Sequence, residues 1–98
     1  MLKLEIALGE AYYNHGYINI GVKYGDLLPS HNTEISVDLG NEFYLTAKIN
    51  RTTNENNTHR IYIGNDYIKW VQQNFNLGDI MTVDILSPRH IRLNPPII

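Results

Sequence analysis

The chain has 98 residues, 43% apolar and 18% charged, which suffices for one domain with its own core, so neither a metal nor a disulfide is needed for folding. The absence of cysteine excludes a disulfide scaffold, a cysteine-ligated zinc site and a cysteine nucleophile. No apolar run approaches the ~18 to 20 residues of a membrane span, and the first residues lack the plan of a signal peptide, so a cytoplasmic location without a membrane partner is predicted.

The first half of the chain alternates apolar and polar residues with the period of two that is typical of half-buried strands. This pattern predicts strands over residues 2–8, 17–22, 34–39 and 42–49. The pair Gly40-Asn41 joins the last two strands as a β-hairpin. The segment 24–30 runs into Pro29 and is too short for more than one helical turn.

The second half predicts one longer helix among short strands. Ile61 and Ile63 begin a strand that Gly64 ends. A helix from about residue 67 to residue 75 follows, capped by Asn65 or Asp66. Its inward face is predicted to comprise Ile68, Val71 and Phe75, flanked by Tyr67 and Trp70. With strands over 80–86 and 90–93, the pattern indicates a mainly β barrel or sandwich of about seven strands.

Catalytic and metal-binding patterns are weak in this sequence. The four histidines, His15, His31, His59 and His90, are widely spaced, and no two have the i, i+4 spacing of a helical metal site. Asp66, Asp79 and Asp84 fit roles as a cap, a turn residue and an outward strand residue. We therefore predict no catalytic residues, no bound metal and no cofactor in this chain.

The charged side chains are distributed unevenly along the chain, and one segment is basic. The net charge of −2 argues against binding a polyanion by bulk charge. Residues 48–60, however, carry three basic side chains against one acidic side chain. A solvated loop is one interpretation of this polar insert. The other is base reading by Arg, Asn and Thr side chains, with the candidate residues Lys48, Asn50, Arg51, Thr52, Thr53, Asn54, Asn56, Asn57, Thr58, His59 and Arg60.

A second polar segment connects the first two strands. It combines planar, donor-rich side chains with a single lysine. A Tyr-rich turn packed on the barrel is the simpler interpretation, and binding is the alternative. Its candidate residues are Tyr13, Asn14, His15, Tyr17, Asn19 and Lys23. Within the two segments, Arg51 is expected to read bases, whereas Lys23, Lys48 and Arg60 are expected to contact phosphates.

The order of these elements resembles the B3-type DNA-binding pseudobarrel of plant transcription factors and of the DNA-recognition domains of some bacterial restriction endonucleases. The resemblance rests on Tyr17-Ile18-Asn19-Ile20-Gly21, on Leu27-Leu28-Pro29, and on the helix followed by Leu77-Gly78-Asp79 and Val83-Asp84-Ile85. It implies a seven-stranded open barrel with a short turn-helix and a longer helix. Two arms, residues 12–23 and residues 48–60, would grip double-stranded DNA from the major groove. This chain departs from the plant members in being net acidic.

The length of the chain predicts a single domain over residues 1–94, and the paired prolines predict that the Pro-rich tail over residues 95–98 is the start of a linker. The resemblance agrees with this division. It favours a monomeric, non-catalytic recognition module that is fused to a nuclease or works beside one. Two alternatives stay open, namely a dimeric swapped-hairpin transcription regulator and a β-domain that binds a protein or a glycan. Neither the recognised bases nor the reading of base methylation follows from the sequence.

Overall fold

The computed structural model of the protein describes residues 2–20, 27–40, 42–51 and 59–96. These ranges contain seven strands and two helices. The strands in chain order are β1 (Leu2–Ala7), β2 (Tyr17–Ile20), β3 (Glu34–Asp38), β4 (Tyr44–Asn50), β5 (His59–Tyr62), β6 (Ile80–Ser87) and β7 (His90–Leu93). The helices are α1 (Glu10–Asn14) and α2 (Asn65–Asn74).

All seven strands belong to one curled sheet with the order β1-β6-β7-β3-β4-β5-β2. Neighbouring strands are antiparallel except β3 and β7, which run parallel. The sheet forms a half-barrel, so the predicted mainly β, seven-stranded open pseudobarrel is confirmed. The predicted hairpin of β3 and β4 is present, and the last two strands, β6 and β7, also pair antiparallel.

The core lies inside this half-barrel and follows the alternation in the sequence. Every second strand residue points inward and is buried, as Ile18 and Ile20 of β2 and Ile35 and Val37 of β3 illustrate. The buried residues of helix α2, Tyr67, Trp70 and Val71, belong to the same core cluster as these strand residues. Tyr67 is completely buried rather than flanking, whereas the predicted inward residue Ile68 is only partly buried.

The ends and positions of the helices differ from the expectation in two respects. Helix α2 begins at Asn65 with Gly64 as its N-cap, and no side chain caps it. Gly64 has a φ of 102°, a left-handed conformation that only glycine adopts without strain, and this favours a turn there over a side-chain cap. The short helix lies at residues 10–14, and its second half overlaps the start of the first arm. Of the expected turn-helix at 24–30, residues 24–26 lie outside the described residues and residues 27–30 form no α-helix.

A row of alternating charges crosses four strands on the outer side of the sheet. The register places Lys3, Asp84, Arg92 and Asp38 side by side. Lys3 Nζ lies 3.8 Å from Asp84 Oδ1, and Arg92 Nε lies 3.2 Å from Asp38 Oδ2. The backbone N–H of Gly40 also donates to Asp38, and this bond, with Arg92, lowers the pKa of Asp38 against the opposing effect of burial. Strand pairing therefore accounts for the positions of both carboxylates.

No helix in the described part of the chain is both long and apolar enough to span a bilayer.

Candidate nucleic-acid interface

Three neighbouring strands bring both predicted arms together on the outer face of the sheet. In the antiparallel register of β4, β5 and β2, Lys48 lies opposite Tyr62, and Tyr62 lies opposite Tyr17. One pleat further along, Asn50 lies opposite Arg60, and Arg60 lies opposite Asn19. We call these six residues the outer patch: Tyr17, Asn19, Lys48, Asn50, Arg60 and Tyr62. The residues between them, including Ile18, Ile49 and Ile61, are buried in the core, so the alternation of each strand directs the patch outward.

The guanidinium of Arg60 is held by three side chains of the patch. Its carbon lies 4.0 Å from the centroid of the Tyr17 ring, which is within the range of a cation–π contact. Arg60 Nε donates to Asn19 Oδ1 at 3.2 Å, and Nη1 lies 3.4 Å from the Tyr62 hydroxyl. The position of Arg60 is thus set by side chains of β2 and of its own strand.

Tyr17 is supported by further aromatic rings. It contacts Tyr12 edge-on at a centroid distance of 5.9 Å and Tyr62 at 5.7 Å. The backbone carbonyl of Tyr12 accepts a 2.7 Å hydrogen bond from the hydroxyl of Tyr67, which is buried in the core. Burial raises the pKa of Tyr67, so its hydroxyl stays protonated and donates this bond. Contacts therefore run from the core, through Tyr12 and Tyr17, to Arg60.

Helix α1 is held against α2 by side chains of both helices. The Tyr13 hydroxyl donates to the Phe75 carbonyl at 2.9 Å. Gln72 Nε2 donates to the Tyr13 carbonyl and to Asn14 Oδ1, both at 3.0 Å. The start of the first arm is thus a short helix bound to the domain. Tyr13 is partly buried in this contact between the helices, whereas Asn14 and His15 are exposed.

The turn after α1 also contacts the start of α2. The carbonyl of Gly16 accepts hydrogen bonds from the backbone N–H groups of Ile63 and Gly64, at 2.9 and 3.0 Å. Gly16 has a φ of +79°, and a Cβ at this position would lie 3.2 Å from the Gly64 carbonyl oxygen. Glycine is therefore required for the close approach that fixes where β2 begins.

The second arm is described only at its two ends. Residues 52–58 lie outside the described residues, as does Lys23 of the first arm. The contacts predicted for these residues, Lys23, Thr52, Thr53, Asn54, Asn56, Asn57 and Thr58, stay predictions. Arg51 is partly buried just after β4, and its backbone N–H donates to His31 Nδ1 at 3.1 Å.

His59 is placed differently from the expectation. It lies opposite Ile20 on the inward side of β5 and is completely buried. Burial, followed by the positive charge of Arg51, lowers the pKa of His59, and the nearby Pro29 carbonyl opposes this effect. A neutral ring inside the core does not present its nitrogens to an external ligand. The structure therefore does not support the base contact predicted for His59.

The outer patch carries a small net positive charge. It contains Lys48 and Arg60 and no acidic side chain. On β3, however, the exposed residue Glu34 lies directly opposite Lys48, and opposite charges in this arrangement partly cancel. The positive charge is therefore concentrated on the side of Arg60.

Sequence reasoning missed Tyr62 as a member of this surface. Tyr62 is 42% exposed and stands between the inward residue Ile61 and the partly buried Ile63. The alternation of β5 could have placed it outward, but only the pairing of β5 with β2 and β4 shows that it joins both arms.

Among the described residues, no group of three or more His, Asp or Glu side chains lies close enough together to hold a metal ion. A shallow groove of about 360 Å³ borders the patch on the α1 side. Its lining includes Tyr12, Tyr17 and Asn19, with Glu10 adding an acidic side chain.

Comparison with known proteins finds a similar structure but no similar sequence family. No family model matches the chain, and no curated protein matches it. Among solved structures, the chain is similar to the N-terminal domain of Helicobacter pylori LlaJI.R1. The TM-score is 0.71 at 12% sequence identity, and the match covers 99% of this chain and 82% of that chain. The two chains therefore share the same fold.

Proposed function

We propose that this chain binds double-stranded DNA sequence-specifically, with its two arms in the major groove, as the recognition module of a bacterial restriction endonuclease system. In this proposal the chain is not catalytic, and cleavage belongs to a nuclease domain or subunit elsewhere. The proposal depends chiefly on the outer patch, in which side chains of both arms meet on one paired surface of the sheet. The similarity in fold to the N-terminal domain of LlaJI.R1, a restriction-system protein, supports it.

The chemistry of the patch suits the edges of base pairs. Arginine can donate two hydrogen bonds to guanine, and asparagine can both donate to adenine and accept from it. Asn50 and Arg60 supply these groups from adjacent strands, and Asn19 Oδ1 accepts from Arg60 Nε. Because strands hold side chains more precisely than loops do, this arrangement favours recognition with a defined geometry.

The charge of the domain favours specific over non-specific binding. Non-specific affinity for duplex DNA comes mainly from neutralised phosphates. This chain has a net charge of −2, and Glu34 lies opposite one of the two basic residues of the patch. We therefore expect weak binding to random duplex and measurable binding only where base contacts add to the few phosphate contacts.

The proposal is tested by selection from a randomised duplex library, with heparin as competitor. We expect the wild-type protein to enrich one defined sequence and to elute as a monomer in light scattering. The variant Arg60→Ala should lose the enriched binding. Arg89→Ala removes the same charge from the exposed β6–β7 turn, outside both arms, and should bind as the wild type does.

Other results would favour the other classes of protein. No retention of any duplex, even at low salt, would overturn DNA binding and favour a domain whose tyrosines and asparagines contact a protein or a glycan. A stable dimer that selects a palindromic site would instead favour the swapped-hairpin regulator.

A further inference from the structure

We infer that Arg60 determines specificity by presenting a fixed guanidinium plane to a base edge, and does not serve as an interchangeable phosphate contact. This inference rests on the proposed DNA-binding function and names the residue that reads sequence within it. It reverses the role that the sequence alone indicates for Arg60, which stands at the end of a basic arm.

The guanidinium plane of Arg60 is held from two directions. The Tyr17 ring contacts the guanidinium at 4.0 Å, and Asn19 Oδ1 accepts from Nε at 3.2 Å. A stacked ring restricts the tilt of the plane, and a hydrogen bond at Nε restricts its rotation. Arg60 is also partly buried, so the side chain has less freedom than a solvated arginine.

The side chains that support Arg60 are themselves fixed by the sheet and the core. Tyr17 and Asn19 belong to β2, which pairs with β5 residue by residue. The Tyr17 ring contacts Tyr12, whose carbonyl is bonded to the buried Tyr67 hydroxyl at 2.7 Å. The orientation of Arg60 therefore depends on the sheet and the core rather than on a loop.

An oriented guanidinium suits a base edge better than it suits a phosphate. A phosphate contact requires a positive charge, and the flexible ammonium group of lysine supplies it equally well. A base edge such as O6 and N7 of guanine requires two donors in one plane at a set angle, which lysine cannot reproduce. A guanidinium that is oriented before binding meets the second requirement at a lower entropic cost.

The test is the substitution Arg60→Lys, which keeps the charge and removes the planar fork. The matched control, Arg89→Lys, makes the same change at an exposed position outside both arms. Each protein is first checked for an unchanged melting temperature and then used in selection from the randomised library and in titrations at several salt concentrations. We expect Arg60→Lys to lose preference at one base pair of the site by about 5- to 150-fold, with an unchanged salt slope because the charge is kept.

A second pair of variants tests the support beneath Arg60. Tyr17→Leu removes the ring, whereas Tyr17→Phe keeps it and removes only the hydroxyl. We expect Tyr17→Leu to weaken preference at the same base pair as Arg60→Lys, and Tyr17→Phe to retain it. The double variant that combines Tyr17→Leu with Arg60→Lys should be no worse than Arg60→Lys alone, because both changes disable one unit.

Two results overturn the inference, and they differ from failure of the proposed function. If Arg60→Lys keeps the wild-type preference at every position, or weakens selected and random duplex equally, Arg60 is a charge contact only. If the wild-type protein enriches no sequence, the proposed function fails and the inference fails with it.

Discussion

Trp70→Ala separates a structural role from a binding role for the one tryptophan of the chain. Trp70 is only 9% exposed, and its ring meets that of Phe75 edge-on at a centroid distance of 5.8 Å. Tyr67 and Val71 on the same helix are fully buried. Truncation to alanine leaves a cavity between α2 and the sheet and is expected to cost about 3 to 5 kcal/mol of unfolding free energy.

This loss is large for a domain of this size. Small domains have a total stability of about 5 to 15 kcal/mol, so a substantial fraction would disappear. With about 4 to 8 °C of melting temperature per kcal/mol, Trp70→Ala should melt about 12 to 40 °C lower than the wild type. Circular dichroism during heating and urea unfolding measure the effect. Trp70→Phe keeps an aromatic ring against Phe75 and should lose less than half as much.

Binding is then measured at low temperature, where the variant is still folded. We expect the folded fraction of Trp70→Ala to bind the selected duplex as tightly as the wild type, because Trp70 lies outside both arms and the outer patch. A stable, folded Trp70→Ala protein that no longer binds would refute this reasoning and would move the site to the face of α2.

Three further predictions follow from particular contacts. Tyr67→Phe should lower the free energy of unfolding by about 1 to 3 kcal/mol, because it leaves the part-buried Tyr12 carbonyl of α1 without its donor. If the variant is as stable as the wild type in urea unfolding, this hydrogen bond does not anchor α1. Lys48→Ala should reduce the slope of log affinity against log salt by up to about one unit without changing sequence preference, and Lys69→Ala, with the same charge change on the exposed side of α2, should leave the slope unchanged. In the folded protein the pKa of His59 is lowered from its ordinary value of 6.5. As the pH falls, the imidazole of the unfolded chain is therefore protonated before that of the folded protein. The free energy of unfolding should be constant above about pH 6.5 as far as His59 is concerned, and should decline below it by at most about 1.4 kcal/mol per pH unit. His59→Leu should remove this part of the decline, and an unchanged pH profile of urea unfolding would show that His59 does not titrate differently in the two states.

Much of the fold could be predicted from local pattern alone. The alternation of Leu4 and Ile6, or of Ile35 and Val37, gives both the strand and its inward face, since a strand repeats every two residues. His59 shows how sensitive that argument is to the start of a strand. With the strand begun at Ile61, His59 belonged to a polar arm, whereas β5 begins two residues earlier and the same alternation directs His59 inward.

The candidate site could be predicted only in part. The sequence determined that two polar segments of suitable chemistry flank the strands, and it placed Tyr17, Asn19 and Arg60 in them. Only the tertiary structure decided that β2 pairs with β5, which joins residues more than 40 positions apart in the chain, such as Asn19 and Arg60. Hydrophobic alternation specifies which face of a strand is buried. It does not specify which other strand lies beside it. The choice of neighbour depends on packing of the whole barrel around α1 and α2, and so the oriented guanidinium of Arg60 could not be predicted from the sequence.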